Sequence, residues 1–195
     1  ADPHRAGHEL TYYPGFVNIL MADIIIINKV DSAKKEEVQK VQENIKKYNP
    51  KAKIILAKSD VFVEDEKLIK NKRVVVVGDG PTLSHGGMSF GAATLAAQKY
   101  GGKIVDAKPY VVGSIKATYE KYPQLGKELP AMGYSSKQLK EVESIINKVP
   151  CDLVLDGSPA HLKKHLKLNK PIMNVTYELD TNSVNELKKL LKKFL

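Results

Sequence analysis

The residues Asn28-Lys29-Val30-Asp31 follow directly on the apolar run Asp23-Ile24-Ile25-Ile26-Ile27. A carboxylate at the end of such a strand can accept both the N1–H and the exocyclic amine of guanine, a charge-assisted pair that adenine cannot offer. Asn28, Lys29 and Asp31 are therefore candidate base-binding residues, and Lys58, in the turn Lys58-Ser59-Asp60 after the next apolar run, joins them. The same four letters also serve as an ordinary polar turn and helix cap. The all-apolar strand before them and the helix opening after them favour a nucleotide, because open α/β sheets bind ligands at the carboxyl ends of their strands. No segment reads Gly-x-x-x-x-Gly-Lys-Ser/Thr, the loop that grips the β- and γ-phosphates.

A second constellation is Asp2-Pro3-His4-Arg5-Ala6-Gly7-His8-Glu9. Asp2 can serve Mg²⁺ or orient an attacking group, Arg5 can neutralise phosphate, and the two histidines titrate near neutrality. His4 and His8 have the spacing of a helical zinc pair, although Pro3 and Gly7 oppose a regular helix. A third is the glycine-rich run Gly78 to Gly91, whose backbone N–H groups between strand and helix could meet an anion. Ser84, His85, Gly86 and Gly87 are its candidate substrate contacts, with His85 also a catalytic candidate beside Asp2 and Arg5. A fourth, Pro109 to Pro123, shows no clean period and holds Tyr110, Lys116 and Lys121, which could close over a phosphorylated ligand.

The elements that must position these groups alternate between strand and helix. Val38, Val41, Ile45 and Tyr48 mark a helix from Asp31 or Ser32 to Tyr48, and Lys53 to Ala57 a strand, completing a parallel strand–helix–strand unit. Residues 64–72 are the expected linker between a first domain, 1–63, and a second, 73–195. In the second, strands are expected at 73–78, 103–105, 153–155 and 172–177. Helices are expected at 87–100, after the Ser135 cap, at 160–168 and from Ser183. The class is α/β with a mostly parallel sheet and flanking helices.

The chain has 195 residues, 31 Lys plus Arg against 22 Asp plus Glu, and a net charge of +9. That balance favours anionic small molecules; the lysines alternate with glutamates as on a solvated helix face, so nucleic acid is not an expected partner. Nothing approaches the roughly 18 apolar residues of a membrane span, and no signal peptide opens the chain, so a soluble cytoplasmic protein with no membrane partner is expected. The single cysteine, Cys151, reads as packing. Homo-oligomerisation is left open.

The segments Ala1-Asp2-Pro3-His4-Arg5-Ala6-Gly7-His8-Glu9, Gly78-Asp79-Gly80-Pro81-Thr82-Leu83-Ser84-His85-Gly86-Gly87-Met88 and Ala107-Lys108-Pro109-Tyr110-Val111-Val112-Gly113-Ser114-Ile115-Lys116 closely resemble the carboxyl-terminal half of the archaeal cyclic 2,3-diphosphoglycerate synthetase family and its relatives described as predicted GTPases. The resemblance covers essentially the whole chain. More remotely, the strand, Asn-Lys-Val-Asp and following helix are similar to the nickel- and cobalamin-related maturation GTPases. Members of the synthetase group are longer, with a Walker-type loop upstream. The resemblance therefore implies the carboxyl-terminal part of an archaeal P-loop protein that uses Mg²⁺ with GTP or ATP and is a poor hydrolase as this chain alone. The synthetase drives ring closure of 2,3-diphosphoglycerate with ATP, whereas Asp31 points to guanine. The alternative is a GTP-gated, metallochaperone-like partner-binding protein without catalysis.

Overall fold

Isoleucines and valines, stiff at χ1 and suited to a pleated surface, form the strands at the centre of both halves of the molecule. The computed structural model describes residues 1–132 and 135–192; residues 133, 134 and 193–195, which fall within the expected second domain, lie outside the described residues. Along the chain run α1 (His8–Thr11), α2 (Tyr13–Met21), β1 (Ile24–Ile27), α3 (Lys35–Tyr48), β2 (Lys53–Leu56) and β3 (Ser59–Val63). There follow β4 (Arg73–Asp79), α4 (Gly80–Leu83), α5 (Ala92–Lys99), β5 (Lys103–Ile104), α6 (Gly113–Lys121) and β6 (Leu129–Ala131). The last elements are α7 (Ser136–Lys148), β7 (Leu153–Asp156), β8 (Ile172–Leu179) and α8 (Thr181–Leu191). The fold is α/β, with parallel strand pairing and flanking helices.

The chain divides into two compact units, Ala1–Asp60 with the segment from Glu178 onward, and Val61–Tyr177. In the first, β1 and β2 pair in parallel with Ile24 opposite Lys53 and Ile27 opposite Leu56. Val38, Val41 and Ile45 of α3 pack on Ile25 and Ile27, the expected strand–helix–strand arrangement. On the other edge of β1, the Ala1 amine donates to Ile26 O at 2.6 Å and Ala1 O accepts Asn28 N at 3.0 Å. That alternation is the bonding of a parallel neighbour, and it sets Asp2 beside the end of β1. The helix α8, N-capped by Asp180, completes this unit.

In the second unit the strand order is β3-β8-β7-β4-β5, with β6 also on β4. Val74 to Val77 of β4 are fully buried, as a strand covered on both faces should be. β5 pairs with the first residues of β4 and β6 with the last, so one edge of β4 carries both, while β7 takes the other edge. The chain thus changes direction at β4, and the loops leaving β4 and β7 lie at a switch point. Residues 64–72, expected as a linker, belong to this unit: Ile69 is fully buried and packs with Val74, Val76 and Ala97.

Several expected boundaries move for local reasons. α3 starts at Lys35 because Ser32 and Ala33 donate their N–H groups to Lys29 O, making a turn first. Ser59 and Asp60, expected in a turn, open β3. Residues 113–121, expected to be irregular, form α6, with Ile115 and Thr118 buried one turn apart. The helix expected at 160–168 is only a 3₁₀ turn, Leu162–Lys164. Its N-terminal neighbour His161 is left-handed, at φ 49°, which a continuous helix excludes.

Candidate functional site

The carboxyl ends of β1 and β2 are tied to each other. Ala57 donates to Ile27 O at 2.9 Å, and Val30 donates back to Ala57 O at 3.1 Å. Between these bonds Lys29 takes a left-handed φ of 63°, with its N–H on the Asn28 side-chain oxygen at 2.8 Å. Asp31 is exposed, and its Oδ1 accepts the Ser59 N–H at 3.0 Å. Exposed Lys58 lies between Ala57 and Ser59, both held by this loop. The structure thus brings Asn28, Lys29, Asp31 and Lys58 together at the strand ends.

The second predicted cluster joins the first through an ion pair. Asp2 Oδ2 accepts Lys29 Nζ at 2.8 Å and Arg5 Nη2 at 3.1 Å, while Oδ1 accepts the His4 N–H at 3.1 Å and caps the 3₁₀ turn Pro3–Arg5. Burial pushes the Asp2 carboxyl up, but the Lys29 hydrogen bond and charge, with Arg5 and His4, outweigh it and hold the group below the ordinary carboxylate range. Partial burial lowers the pKa of His4, whose Nε2 meets Ser32 Oγ at 3.0 Å. His8 opens α1 and meets the Tyr12 ring in a tilted contact, 5.5 Å between ring centroids. Among the described residues no group of three or more His, Cys, Asp or Glu side chains could hold a metal.

In the second unit, Ser84 and His85 follow α4 at the end of β4. Ser84 Oγ donates to Gly80 O at 2.7 Å and lies 3.1 Å from His85 Nδ1; Tyr122 OH lies 3.0 Å from His85 Nε2. Gln124 holds the carbonyls of Leu83 and Ser84 at 3.3 and 3.1 Å. The backbone cradle expected here is not formed by the glycines: Gly86 N–H goes to Pro81 O at 2.9 Å and Gly87 N–H to Ser84 O at 3.2 Å. Gly86 is required instead because a Cβ there would collide with Thr82 O, and Gly87 because its φ is +69°. Lys116 and Tyr110 are not in this hydrogen-bonded cluster. Lys116 reaches along α6 to Glu120 at 4.0 Å, and Tyr110 packs on the core around Ile115 and Val142.

Residues 12–56 match the nucleotide-binding domain of the CobW/HypB/UreG family. The matched stretch takes in α2, β1, the Asn-Lys-x-Asp loop, α3 and β2. Over 194 residues the chain is 52% identical to the arginine synthetase ArcE of Thermococcus kodakarensis, covering 99% of this chain and 43% of that protein. The chain spans less than half the length of the curated relative it matches. No helix among the described residues is long and apolar enough to cross a membrane.

Three organising carboxylates escaped the sequence reading because their partners are distant in the chain. Asp180 Oδ2 accepts the Lys58 N–H at 2.9 Å, beside the Asn-Lys-x-Asp loop, while Asp180 also caps α8 through Ser183; the Ser183 hydrogen bond first, then Lys58, hold its pKa down to about 2. Asp156, 1% exposed at the end of β7, accepts Ser158 N–H at 3.0 Å, Ser158 Oγ at 2.6 Å and Leu162 N–H at 2.7 Å. Glu128, also 1% exposed, caps α5 from outside: its Oε2 accepts Gly91 N–H and Thr94 Oγ1, each at 2.6 Å. A Cβ at Gly78 would collide with Glu128 Oε1.

Burial pushes the Glu128 carboxyl up, against the hydrogen bonds from Thr94 and Gly91. The folded state therefore binds this proton more tightly than the unfolded chain. Its contribution to stability is complete below the ordinary value of 4.5 and is lost as pH rises through the folded value. Glu128→Gln keeps an acceptor for Gly91 and Thr94 yet cannot ionise. Urea melts from about pH 4 to about pH 8 should show the variant gaining on the wild type as pH rises. A constant gap would show that the carboxyl ionises in the fold as easily as in the unfolded chain.

Proposed function

We propose that the chain is part of a nucleoside-triphosphate-dependent synthetase whose first unit reads the nucleotide base and whose second unit holds an anionic substrate. The observation that carries this reading is the convergence of Asn28, Lys29, Asp31 and Lys58 at two strand ends, with Lys29 paired to Asp2 at 2.8 Å. The CobW/HypB/UreG match over residues 12–56 and the synthetase name of the Thermococcus kodakarensis relative support it. Guanine is the preferred base, since the exposed Asp31 carboxylate can accept from guanine's N1–H and exocyclic amine, whereas adenine presents an acceptor at N1. Arg5 meets phosphate charge. Mg²⁺ enters with the triphosphate, held chiefly by phosphate oxygens, and Asp2, whose carboxylate is taken by Lys29 Nζ, Arg5 Nη2 and the His4 N–H, would join its shell only by giving up the Lys29 and Arg5 contacts.

Two ligands are in view: a phosphorylated glycerate, by the sequence resemblance, and arginine, by the name of the relative. Both carry an anionic group, and the loop that carries exposed His85 is where such a group would bind, with Lys116 an exposed cation on α6. Catalysis is then mainly positioning and neutralisation of transferring phosphoryl charge. Equilibrium competition against a labelled guanosine triphosphate tests the base assignment. Unlabelled GTP should displace the probe at least about tenfold better than ATP, the effect of one well-placed charged hydrogen bond. Equal displacement would make the protein indifferent to the base.

A further inference from the structure

His85 is exposed, yet both ring nitrogens are engaged. The direction of each bond follows from counting protons. Ser84 is 3% exposed and has one hydroxyl proton, which it donates to Gly80 O at 2.7 Å. Its oxygen is then left as an acceptor, so His85 Nδ1 carries the hydrogen and donates to Ser84 at 3.1 Å. In the neutral imidazole Nε2 is consequently a bare acceptor, and the Tyr122 hydroxyl 3.0 Å away donates to it. Every proton in the chain Tyr122–His85–Ser84–Gly80 points inward. In this state neither the phenol nor the imidazole offers a donor to an anion.

One added proton reverses the outer half of that chain. A protonated His85 donates from Nε2 to the Tyr122 oxygen, which frees the phenolic hydrogen to turn toward solvent. The new positive charge has no internal counterion: no salt bridge joins His85 to a carboxylate among the described residues. The groups packed against the pair do not supply one. Lys121 Nζ lies 5.3 Å from the Tyr122 ring, adding positive charge, and Tyr119, which shares an apolar cluster with Tyr122, has its hydroxyl bound to the Glu128 carbonyl at 2.9 Å. Gln124, which pins the Ser84 carbonyl, is uncharged. The charge is therefore left for a ligand to neutralise.

We infer that Tyr122 is a further residue of the anion site and that it is switched by His85: binding an anion is coupled to uptake of a proton by the imidazole, and the outward-turned Tyr122 hydroxyl is the donor that meets the anion. This inference rests on the reading of the His85 loop as an anion site. It adds a requirement that the ligand be a strong acceptor able to stabilise an imidazolium, such as a carboxylate or phosphate.

Sulfate is a suitable probe because it does not itself take up protons near neutrality. Isothermal titration of the intact chain with sulfate, in buffers of differing ionisation enthalpy, should show close to one proton taken up per bound sulfate above the titration range of histidine, and affinity rising as pH falls. His85→Gln should abolish that uptake. Tyr122→Phe should keep the uptake and weaken sulfate binding roughly ten- to a hundredfold, as for a lost charged hydrogen bond. Melting curves of each variant confirm that it is folded. Sulfate binding without proton uptake in the wild type, or undiminished in Tyr122→Phe, would overturn the inference and leave the anion site standing. Equal binding by the wild type and His85→Gln would remove the anion site itself, and the inference with it.

Discussion

Exchange of Asp31 for asparagine is expected to weaken guanosine triphosphate by about a hundredfold and to improve xanthosine triphosphate by a similar factor, the product of two charged hydrogen bonds lost in one case and a donor gained in the other. The geometry makes this a clean exchange. Asp31 is exposed and its Oδ1 is held by the Ser59 N–H at 3.0 Å, so an asparagine oxygen can keep that bond while its amide faces the base. Xanthine presents an oxygen where guanine presents its amine, and an amide donates where a carboxylate cannot. Competition titrations with both nucleotides measure the effect. If neither affinity changes, the loop positions the base by stacking or by backbone, and the guanine assignment fails.

Replacing Asp156 with alanine is expected to cost about 3–5 kcal/mol, the sum of several buried donors left without an acceptor. Its two oxygens satisfy Ser158 N–H, Ser158 Oγ and Leu162 N–H, all within the loop that follows β7. Leu162 is itself fully buried beneath that loop, so loosening the backbone also uncovers core. Asp156→Asn should fall between the wild type and alanine, since it keeps one acceptor but turns an amide donor toward a backbone N–H. Denaturant melts of the three proteins decide the point; an alanine variant as stable as the wild type would mean that water replaces the carboxylate at no cost.

What could be read directly from the residues was local. Four adjacent valines made β4 unmistakable, and the period of Val38, Val41 and Ile45 made α3 so. The grouping of Asn28, Lys29, Asp31 and Lys58 followed from adjacency to two strand ends. What could not be read depended on side chains arriving from elsewhere. The helix expected from Gly87 begins only at Ala92, because the carboxylate that caps it is Glu128, 37 residues from Gly91. The helix expected at 160–168 yields to a loop because Asp156 captures the Leu162 N–H. α6 was missed since its Gly113 start lacks a polar cap of its own; the bonds come from Glu141, which accepts the Ser114 N–H and hydroxyl. Asp2 read as an available acid, and only the fold reveals that Lys29, 27 positions away, already neutralises it.

The bond between the Lys58 N–H and Asp180 spans 122 positions of sequence. During synthesis, Val61–Tyr177 is complete before Asp180 is added, so the second unit has all its own residues while the first still awaits α8. At about 5–20 residues per second, a ribosome would take roughly 6–24 s to make the intervening 122 residues. For that interval the nascent chain carries the Asn-Lys-x-Asp loop without the carboxylate that accepts the Lys58 N–H. A chain that stops before residue 180 would carry the Asn-Lys-x-Asp segment but lack the carboxylate that accepts the Lys58 N–H.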